Sequence, residues 1–375
     1  MKKQSQFMAL VLGSAMASSE VLAEDYVNLT GSFRMNYTVQ DWNDAQKNRG
    51  GDFGFNQINL GVEAKHKEVR ISSSYRWYDN GNPSMIHHLY FATDIDENSE
   101  VQVGLTKVPF GIQPYEGHSD WGNNFLFMGF NDDYDSGIKY ITQQDKLNVQ
   151  VAYFAAGDSR NASDAERFSA DLVTTKENPT ATEANEEAHQ ANLHMAYDLG
   201  GLEVGGSLQL SGLYNNVTEK MGHAYAVAAF VNGDLGPIQV QAQAARYEFN
   251  PRNGGADDKT VQYGTFGATY DVAAKANMYV LNLAYPLPLQ GGIVDSVLLF
   301  NDFSMLEKDA SGFENSYVNT FGLQVATGNL YTNFDITSGR NALFIGDGEY
   351  STALAQGDDQ GDWNTFFNIQ MGYYF

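Results

Sequence analysis

Residues 366–375, the last ten of the chain, read Phe-Phe-Asn-Ile-Gln-Met-Gly-Tyr-Tyr-Phe. The apolar residues of one parity are Phe367, Ile369, Met371, Tyr373 and Phe375. Successive side chains of a β-strand point to opposite faces, so this spacing predicts a strand with one apolar face that runs to the last residue. A soluble protein gains little from ending in an exposed aromatic edge strand. A closed membrane barrel needs a last strand that pairs with its first strand.

The end of the chain also resembles a known sorting element. A terminal Phe375, with Tyr373 two residues before it and apolar residues at alternate positions, resembles the assembly signal of Gram-negative outer-membrane barrels. The resemblance implies that the barrel-assembly machinery is a partner during biogenesis. The alternative is an ordinary C-terminal edge strand.

Residues 1–23 have the pattern of a secretory signal peptide. Lys2 and Lys3 give a positive start, residues 7–16 form a short apolar core, and Val21 and Ala23 are small residues at the positions that a signal peptidase prefers. The apolar core is too short for a membrane span. We therefore expect cleavage after Ala23 and a single domain, the outer-membrane β-barrel of residues 24–375.

Composition and charge exclude several classes of protein. The chain has no Cys, which excludes disulfides and thiol chemistry. Its 37 Gly and 45 Tyr and Phe with only 8 Pro are typical of many strands joined by tight turns. The net charge of −24 argues against nucleic acid as a partner. A mean hydropathy of −0.37 fits a water-filled barrel, because only every second strand residue faces lipid.

Alternating stretches recur along the whole chain, separated by short turns and long loops in turn. They predict sixteen strands, at residues 26–40, 55–66, 69–78, 86–93, 100–107, 134–141, 147–155, 189–199, 202–214, 224–231, 238–247, 277–287, 293–304, 317–326, 330–337 and 362–375. Residues 250–275 read as one long loop with a strand-like piece at 261–270, because both ends of a barrel must lie on the same side. Fourteen or eighteen strands are the alternatives. The predicted fold class is all-β: a transmembrane antiparallel β-barrel with an aqueous lumen.

A second resemblance concerns the long loop at residues 108–131. Lys107 through Gly111 (Lys-Val-Pro-Phe-Gly) and residues 132–140 (Asp-Asp-Tyr-Asp-Ser-Gly-Ile-Lys-Tyr) resemble the phosphate-selective O/P-type porins. The resemblance implies that this loop folds inward and narrows the pore, and that the protein is a homotrimer. It also implies a funnel of Arg and Lys, yet residues 108–131 contain neither. We therefore do not expect phosphate selectivity.

Charged residues of the loop and of the inward strand faces predict how the pore selects ions. The predicted pore-lining and constriction set is Arg34, Glu63, Arg70, Arg76, Lys107, Tyr115, Glu116, His118, Asp120, Asp133, Asp135 and Lys139. Selectivity follows the sign of charge at the narrowest point. Glu116 and Asp120 facing a basic wall of Arg34, Arg70 and Arg76 would give a mild cation preference. The alternative is that these arginines only pair with Glu63 or with loop carboxylates.

Strand parity bears on the expected roles of two lysines of this set. Lys107 falls on the lipid-facing parity of its strand unless a bulge turns it. Lys139 falls on the inward parity beside Asp133 and Asp135, where the carboxylates would neutralise it.

The sequence gives little support for catalysis or metal binding. His87 and His88 are adjacent in a strand, so we expect them to point to opposite faces and not to serve one site. Residues 358–362 have a calcium-like composition without the spacing of a known calcium loop. We assign no catalytic residue, metal or cofactor.

The predicted function is a porin that passes ions and small polar solutes by passive diffusion. Its expected surroundings are outer-membrane lipid and lipopolysaccharide. The alternatives are a substrate-specific channel for anions, phosphate or sugars, a barrel enzyme, an adhesin that uses the acidic outer loops, and a secreted soluble all-β protein.

Overall fold

The computed structural model describes residues 25–79, 83–114, 116–121, 123–158, 165–174, 178–255, 258–289 and 292–375. The predicted signal peptide, residues 1–23, lies outside them. The strands in chain order are β1 (Tyr26–Gln40), β2 (Asp52–His66), β3 (Val69–Tyr78), β4 (Ser84–Asp96), β5 (Ser99–Lys107), β6 (Tyr134–Gln144), β7 (Leu147–Ala156), β8 (Asp171–Leu172), β9 (Asn185–Asp198), β10 (Leu202–Asn215), β11 (Lys220–Leu235), β12 (Ile238–Asn250), β13 (Thr260–Thr265), β14 (Ala268–Ala273), β15 (Lys275–Leu287), β16 (Ser296–Lys308), β17 (Ser316–Thr327), β18 (Leu330–Arg340) and β19 (Asn364–Tyr374).

Sixteen of these strands form one closed antiparallel barrel, and β8, β13 and β14 form a separate small sheet. The predicted fold class and strand number are therefore confirmed. One short helix, α1 (Asp44–Arg49), follows β1. Within the described ranges, no helix has the length and apolar character needed to cross a membrane.

The barrel closes where the first strand meets the last. β1 pairs with β19 from Ser32 opposite Tyr374 to Gln40 opposite Phe366. Beyond that register, Phe375 donates its backbone N–H to the Gly31 carbonyl at 3.0 Å and accepts the Gly31 N–H at 2.9 Å. The terminal residue thus completes the seam.

Each barrel strand separates an apolar outer face from a polar inner face. Leu29 and Phe91 are 75% and 52% exposed on the outside. Gln241, Asn282 and Thr320 are buried on the inner face. Lipid can solvate only the apolar face, so the alternation places polar side chains in the lumen.

Short turns join the strands at the end of the barrel where Tyr26 lies. Gly200 and Gly201 form the turn between β9 and β10 with φ of 98° and 107°, a conformation that glycine adopts without strain. Asp198 accepts both of their N–H groups through Oδ1, at 2.7 and 2.9 Å. The opposite end carries the long loops, and we call it the mouth.

The long loop between β12 and β15 folds back on itself. β13 and β14 pair from Thr260 opposite Ala273 to Thr265 opposite Ala268, and we call this unit the mouth hairpin. The strand-like piece predicted at residues 261–270 is therefore the central part of two strands and their turn, inside one long loop.

Candidate functional site: the loops inside the barrel

The loop of residues 108–131, here called the constriction loop, crosses the lumen from β5 to the opposite wall. Gly111 donates its N–H to Ser207 Oγ of β10 at 3.0 Å. Ile112 donates to Gln243 Oε1 of β12 at 2.9 Å, and Gly117 donates to Gln241 Oε1 at 2.7 Å. Buried inward amides of β12 therefore satisfy backbone groups that the loop cannot pair itself.

A buried carboxylate of β16 holds the middle of this loop. Asp302 is fully buried, and its Oδ2 accepts the backbone N–H groups of His118 at 2.6 Å and Ser119 at 3.1 Å. His118 Nδ1 lies 2.7 Å from Asp302 Oδ1. Ser119 Oγ also donates to Asp335 Oδ2 of β18 at 3.1 Å. His118, predicted to line the pore, is therefore a buried anchor of the loop.

The tip of the loop reaches the wall at β1 and β19. Arg34 Nη1 lies 2.6 Å from Asp120 Oδ2, and Gln370 donates to the same oxygen at 3.0 Å. The Asp120 side chain is 47% exposed and that of Arg34 is 14% exposed. This ion pair joins the predicted acidic loop to the predicted basic wall by direct contact.

The other two predicted wall arginines have different surroundings. Arg70 pairs with Asp94 at 2.7 Å and also with Glu100, so its charge is offset near the short-turn end of the barrel. Arg76 lies over the Phe168 ring, with Cζ 4.6 Å from its centroid. Of the alternative partners, the loop carboxylate of Asp120 pairs with Arg34, whereas no described arginine pairs with Glu63, which accepts from Ser72 Oγ at 2.6 Å.

Glu116 differs most from its predicted role. Its side chain is 4% exposed and accepts a hydrogen bond from Asn123 Nδ2 at 2.8 Å, inside the fold of the loop and not toward water. Burial, with a smaller contribution from the charge of Asp302, raises the pKa of Glu116 to about 8. At pH 7 the carboxyl is therefore mostly protonated and contributes little field to the pore.

The raised pKa predicts a pH dependence of stability. In the unfolded chain the pKa of this carboxyl returns to 4.5. Only the folded chain holds the proton between the two values, so stability falls as pH rises from about 4.5 to about 8 and then levels off. We expect Glu116→Gln to remove this loss. Thermal unfolding midpoints at pH 5 and pH 9 test it, and equal pH shifts in the variant and the wild type would contradict it.

The predicted residues at the two ends of the loop are largely buried. Lys107 pairs with Asp132 at 2.8 Å, with a side chain only 13% exposed, so it does not extend into lipid. Asp133 and Asp135 are 9% and 1% exposed beneath the next long loop. Lys139 donates to the Lys107 carbonyl at 2.8 Å and is 5% exposed. Tyr115 lies outside the described residues.

The expectation that His87 and His88 point to opposite faces is wrong. The register of β3 and β4 shifts between Ser74, opposite His88, and Tyr75, opposite Ile86, which leaves His87 as an extra residue. This bulge brings the two histidine Nδ1 atoms within 2.8 Å of each other. A single-residue bulge has no signature in a pattern of alternation, so the sequence could not show it.

A hydrophobic core fills much of the barrel near the mouth. It joins Phe125, Met128 and Phe130 of the constriction loop to residues of the wall and of the other long loops: Phe154, Leu213, Tyr247, Phe249, Val261, Tyr263, Tyr270, Leu306 and Leu354. Each fully buried aromatic or aliphatic side chain contributes roughly 1.5–3 kcal/mol. The long loops are therefore packed structure inside the barrel.

The mouth hairpin spans the barrel above the constriction loop. Its tip residue Phe266 packs against Tyr78, the last residue of β3, with ring centroids 5.2 Å apart. Around the ring of strands, β3 lies seven strands from β15, and β4 lies seven strands from β12. The hairpin leaves the wall between β12 and β15, so its tip reaches the opposite wall.

Neighbouring loops fix the hairpin along its length. β13 pairs with β8, with Tyr263 opposite Leu172. Tyr270 donates its hydroxyl to the Phe127 carbonyl of the constriction loop at 2.8 Å. At the tip, Phe266 donates its N–H to the Arg167 carbonyl at 2.9 Å. The hairpin, the loop after β7 and the constriction loop thus form one body inside the mouth.

Sequence reasoning did not identify the anchors of the loop or the hairpin that covers it. Gln241 and Gln243 lie on the inward parity of a predicted strand, and this polar row was the available signal. Asp302 is an acidic residue in an otherwise mostly apolar stretch, which is a second such signal. The crossing of the hairpin depends on contacts between residues far apart in the chain.

Comparisons with known proteins give structural relatives only. No family model matches the chain, and no curated protein matches it in sequence. OmpT of Vibrio cholerae, an outer membrane protein solved in a trimer form, aligns with 10% identity and a TM-score of 0.59 over 94% of this chain and 100% of that one. The outer membrane channel DcaP of Acinetobacter baumannii aligns with 11% identity and a TM-score of 0.59, over 96% of this chain and 100% of that one.

A third solved structure has a similar degree of likeness. The anion-selective porin of Comamonas acidovorans aligns with 16% identity and a TM-score of 0.56, over 94% of this chain and all of that one. These alignments cover complete barrels at low identity. The chain therefore has the fold of the sixteen-stranded barrels of outer-membrane porins and channels.

Proposed function

We propose that this protein is a porin of the Gram-negative outer membrane, through which ions and small polar solutes pass by diffusion. A closed barrel with a polar inner face and an apolar outer face supports this proposal. No bond is made or broken in this function, and no cofactor takes part. Purified protein should therefore leave lipid, peptide and ester substrates unchanged, whereas turnover would favour a barrel enzyme.

One observation carries the proposal: the constriction loop crosses the lumen and meets the wall at the Arg34–Asp120 ion pair. The loop is hydrogen-bonded to inward residues of β10, β12, β16, β18 and β19. We infer that the remaining passage runs between the loop and the part of the wall that it does not contact. A loop that fills one side of a water-filled barrel and leaves a narrower passage beside it is the arrangement of a diffusion pore.

We further propose a mild preference for cations. At the constriction loop the negative charge of Asp120 offsets the positive charge of Arg34. The net electrostatic field on a passing ion therefore comes from charges along the rest of the path. Toward the short-turn end, the three carboxylates of Glu63, Asp94 and Glu100 outnumber the two positive charges of Arg70 and of Lys65, which lies opposite it. The net charge of the whole chain, −24, is also negative. Charge of one sign along a narrow path raises the local concentration of the opposite ion.

Single-channel recording in planar bilayers with a tenfold KCl gradient tests the pore and its selectivity. We expect stepwise conductance and a reversal potential on the cation side. Asp120→Asn should move the potential toward the anion side, because a charge within 4 Å of an ion in water contributes about 1 kcal/mol, up to about a fivefold change in permeability ratio. Glu116→Gln is the matched control, since this carboxyl is buried and protonated, and its potential at pH 7 should equal that of the wild type. No conductance from folded protein would overturn the porin proposal.

A second candidate is a channel for anions. Arg34 and Arg76 lie at inward positions of β1 and β3, where they contact Asp120 and Phe168 of the long loops, and the solved porin of Comamonas acidovorans is described as anion-selective. An anion-sided potential that phosphate blocks, and that Arg76→Gln weakens, would favour this candidate over cation preference.

We also propose that the protein is a homotrimer in contact with lipid and lipopolysaccharide. The trimer form of one structural relative supports this assembly. Extraction in mild detergent should give a species of three chains, and a monomer under these conditions would contradict the proposal.

A further inference from the structure

Five carboxylates lie together behind the constriction loop, where the loop after β7 returns to the wall. They are Asp133, Asp135, Asp158, Asp171 and Glu187. Asp135 is 1% exposed and Asp171 is 5% exposed. Arg167 lies among them, with Nη1 3.2 Å from Asp158 and 3.1 Å from Asp171. Within the described ranges, Arg167 contacts two members of this group and the charge of Lys107 acts on Asp133, so carboxylates outnumber these two cations.

Three of these residues have the geometry of a metal site. One carboxylate oxygen each from Asp135, Asp171 and Glu187 lies within 4.8 Å of the other two. Calcium binds oxygen ligands at about 2.3–2.6 Å, so oxygens on opposite sides of one ion lie up to about 5 Å apart. The three oxygens can therefore contact a single ion.

The hydrogen bonds of Asp135 leave one oxygen for a ligand. Its Oδ2 accepts from Gln190 Nε2 at 3.0 Å, which fixes the orientation of the carboxylate. Its Oδ1 has no hydrogen-bond donor within the part of the chain that the structure describes. A fully buried carboxylate oxygen without a donor is costly unless a cation or a proton compensates it.

We propose that Asp135, Asp171 and Glu187 bind one Ca²⁺ ion. The donor set consists of carboxylate oxygens alone, which suits a hard cation and not a transition metal that prefers nitrogen or sulfur. Mg²⁺ usually retains several of its waters, whereas Ca²⁺ accepts several protein carboxylates at once. The site lies inside the barrel and belongs to the protein, unlike ions that bridge lipopolysaccharide.

The ion ties the wall to the structure that covers the mouth. Asp135 belongs to β6 and Glu187 to β9, whereas Asp171 belongs to β8. Asp171 also lies opposite Gly264 in the pairing of β8 with the mouth hairpin. Calcium therefore holds the hairpin in place through β8, and its removal loosens the mouth without opening the barrel wall.

Calcium titration of the purified full-length barrel, after treatment with EDTA, tests this proposal. We expect calorimetry to show one site per chain with a dissociation constant at or below about 1 mM, the range of extracellular calcium modules. Asp135→Asn should weaken binding at least tenfold. Asp347→Asn, which removes an exposed carboxylate of the loop after β18, should bind as the wild type does.

A second variant and a second measurement test the calcium site independently of Asp135→Asn. Glu187→Gln, at the start of β9, should weaken binding in the same way if Asp135→Asn fails to fold. Calcium should also raise the temperature at which the wild type loses its folded mobility on gels, and should not do so in Glu187→Gln. Absence of saturable calcium binding by the folded wild type, or unchanged binding by both variants, would overturn the proposal, whatever the conductance of the pore.

Discussion

Deletion of the mouth hairpin, with residues 258–274 replaced by Gly-Gly, is expected to raise single-channel conductance several-fold. The hairpin crosses the lumen to Tyr78 on the far wall and lies on the constriction loop through Tyr270. Ions must pass around it, so its removal widens the path through the mouth. Conductance of the reconstituted variant in planar bilayers measures the effect.

The control for this deletion is removal of α1, Asp44–Arg49, another loop segment at the same end of the barrel. Gln46 of this helix contacts the ends of β1 and β2, through the Gln40 N–H at 2.7 Å and Asp52 at 3.0 Å. Its loss should leave conductance near the wild-type value. A folded hairpin deletion with wild-type conductance would show that the hairpin does not restrict the pore.

Deletion of Phe375 should reduce the amount of folded barrel at least tenfold. The residue contributes two backbone hydrogen bonds to Gly31, and its ring stacks on Phe33 with centroids 5.7 Å apart. Two hydrogen bonds at about 1 kcal/mol each and an aromatic pair at about 1 kcal/mol amount to about 3 kcal/mol, or roughly a hundredfold in a folding equilibrium. Heat-modifiable mobility on gels measures the folded fraction in cells and after refolding in detergent.

Two comparisons separate the causes of such a loss. Tyr374→Ala removes an aromatic ring beside the seam but keeps Phe375 in place, so we expect a much smaller effect. A Phe375 deletion that folds normally in detergent but not in cells would assign the residue to the assembly signal alone. Normal folding in both settings would contradict both roles.

The barrel wall could be predicted from the sequence because alternation is a local property. The bounds predicted for β1 and β3 match the structure, and the predicted strand number is confirmed. Most errors lie near the mouth, where several strands run a few residues beyond the prediction; β9, for example, begins at Asn185, four residues before its predicted start. There the strands continue to pair along the rim of the barrel. Their side chains no longer alternate between apolar and polar residues, so the pattern does not predict these residues.

The inside of the barrel was much harder to predict because its contacts join distant residues. The sequence indicated that the loop of residues 108–131 folds inward and that Arg34 faces it. It could not show that Asp302 anchors this loop or that Glu116 turns away from water, since both depend on loop packing. The carboxylates behind the loop come from separate segments, such as Asp135 and Glu187, and only the fold brings them together.

The path of the mouth hairpin also has a mechanical consequence. A ring of sixteen strands held by hydrogen bonds between neighbours resists stretching around its circumference but deforms readily into an ellipse. The mouth hairpin is joined to the wall between β12 and β15 at one end and packs on β3 at the other. It therefore opposes compression of the rim along the direction in which it runs. The same segment that narrows the entrance therefore sets the cross-section of the rim against lateral pressure from the membrane.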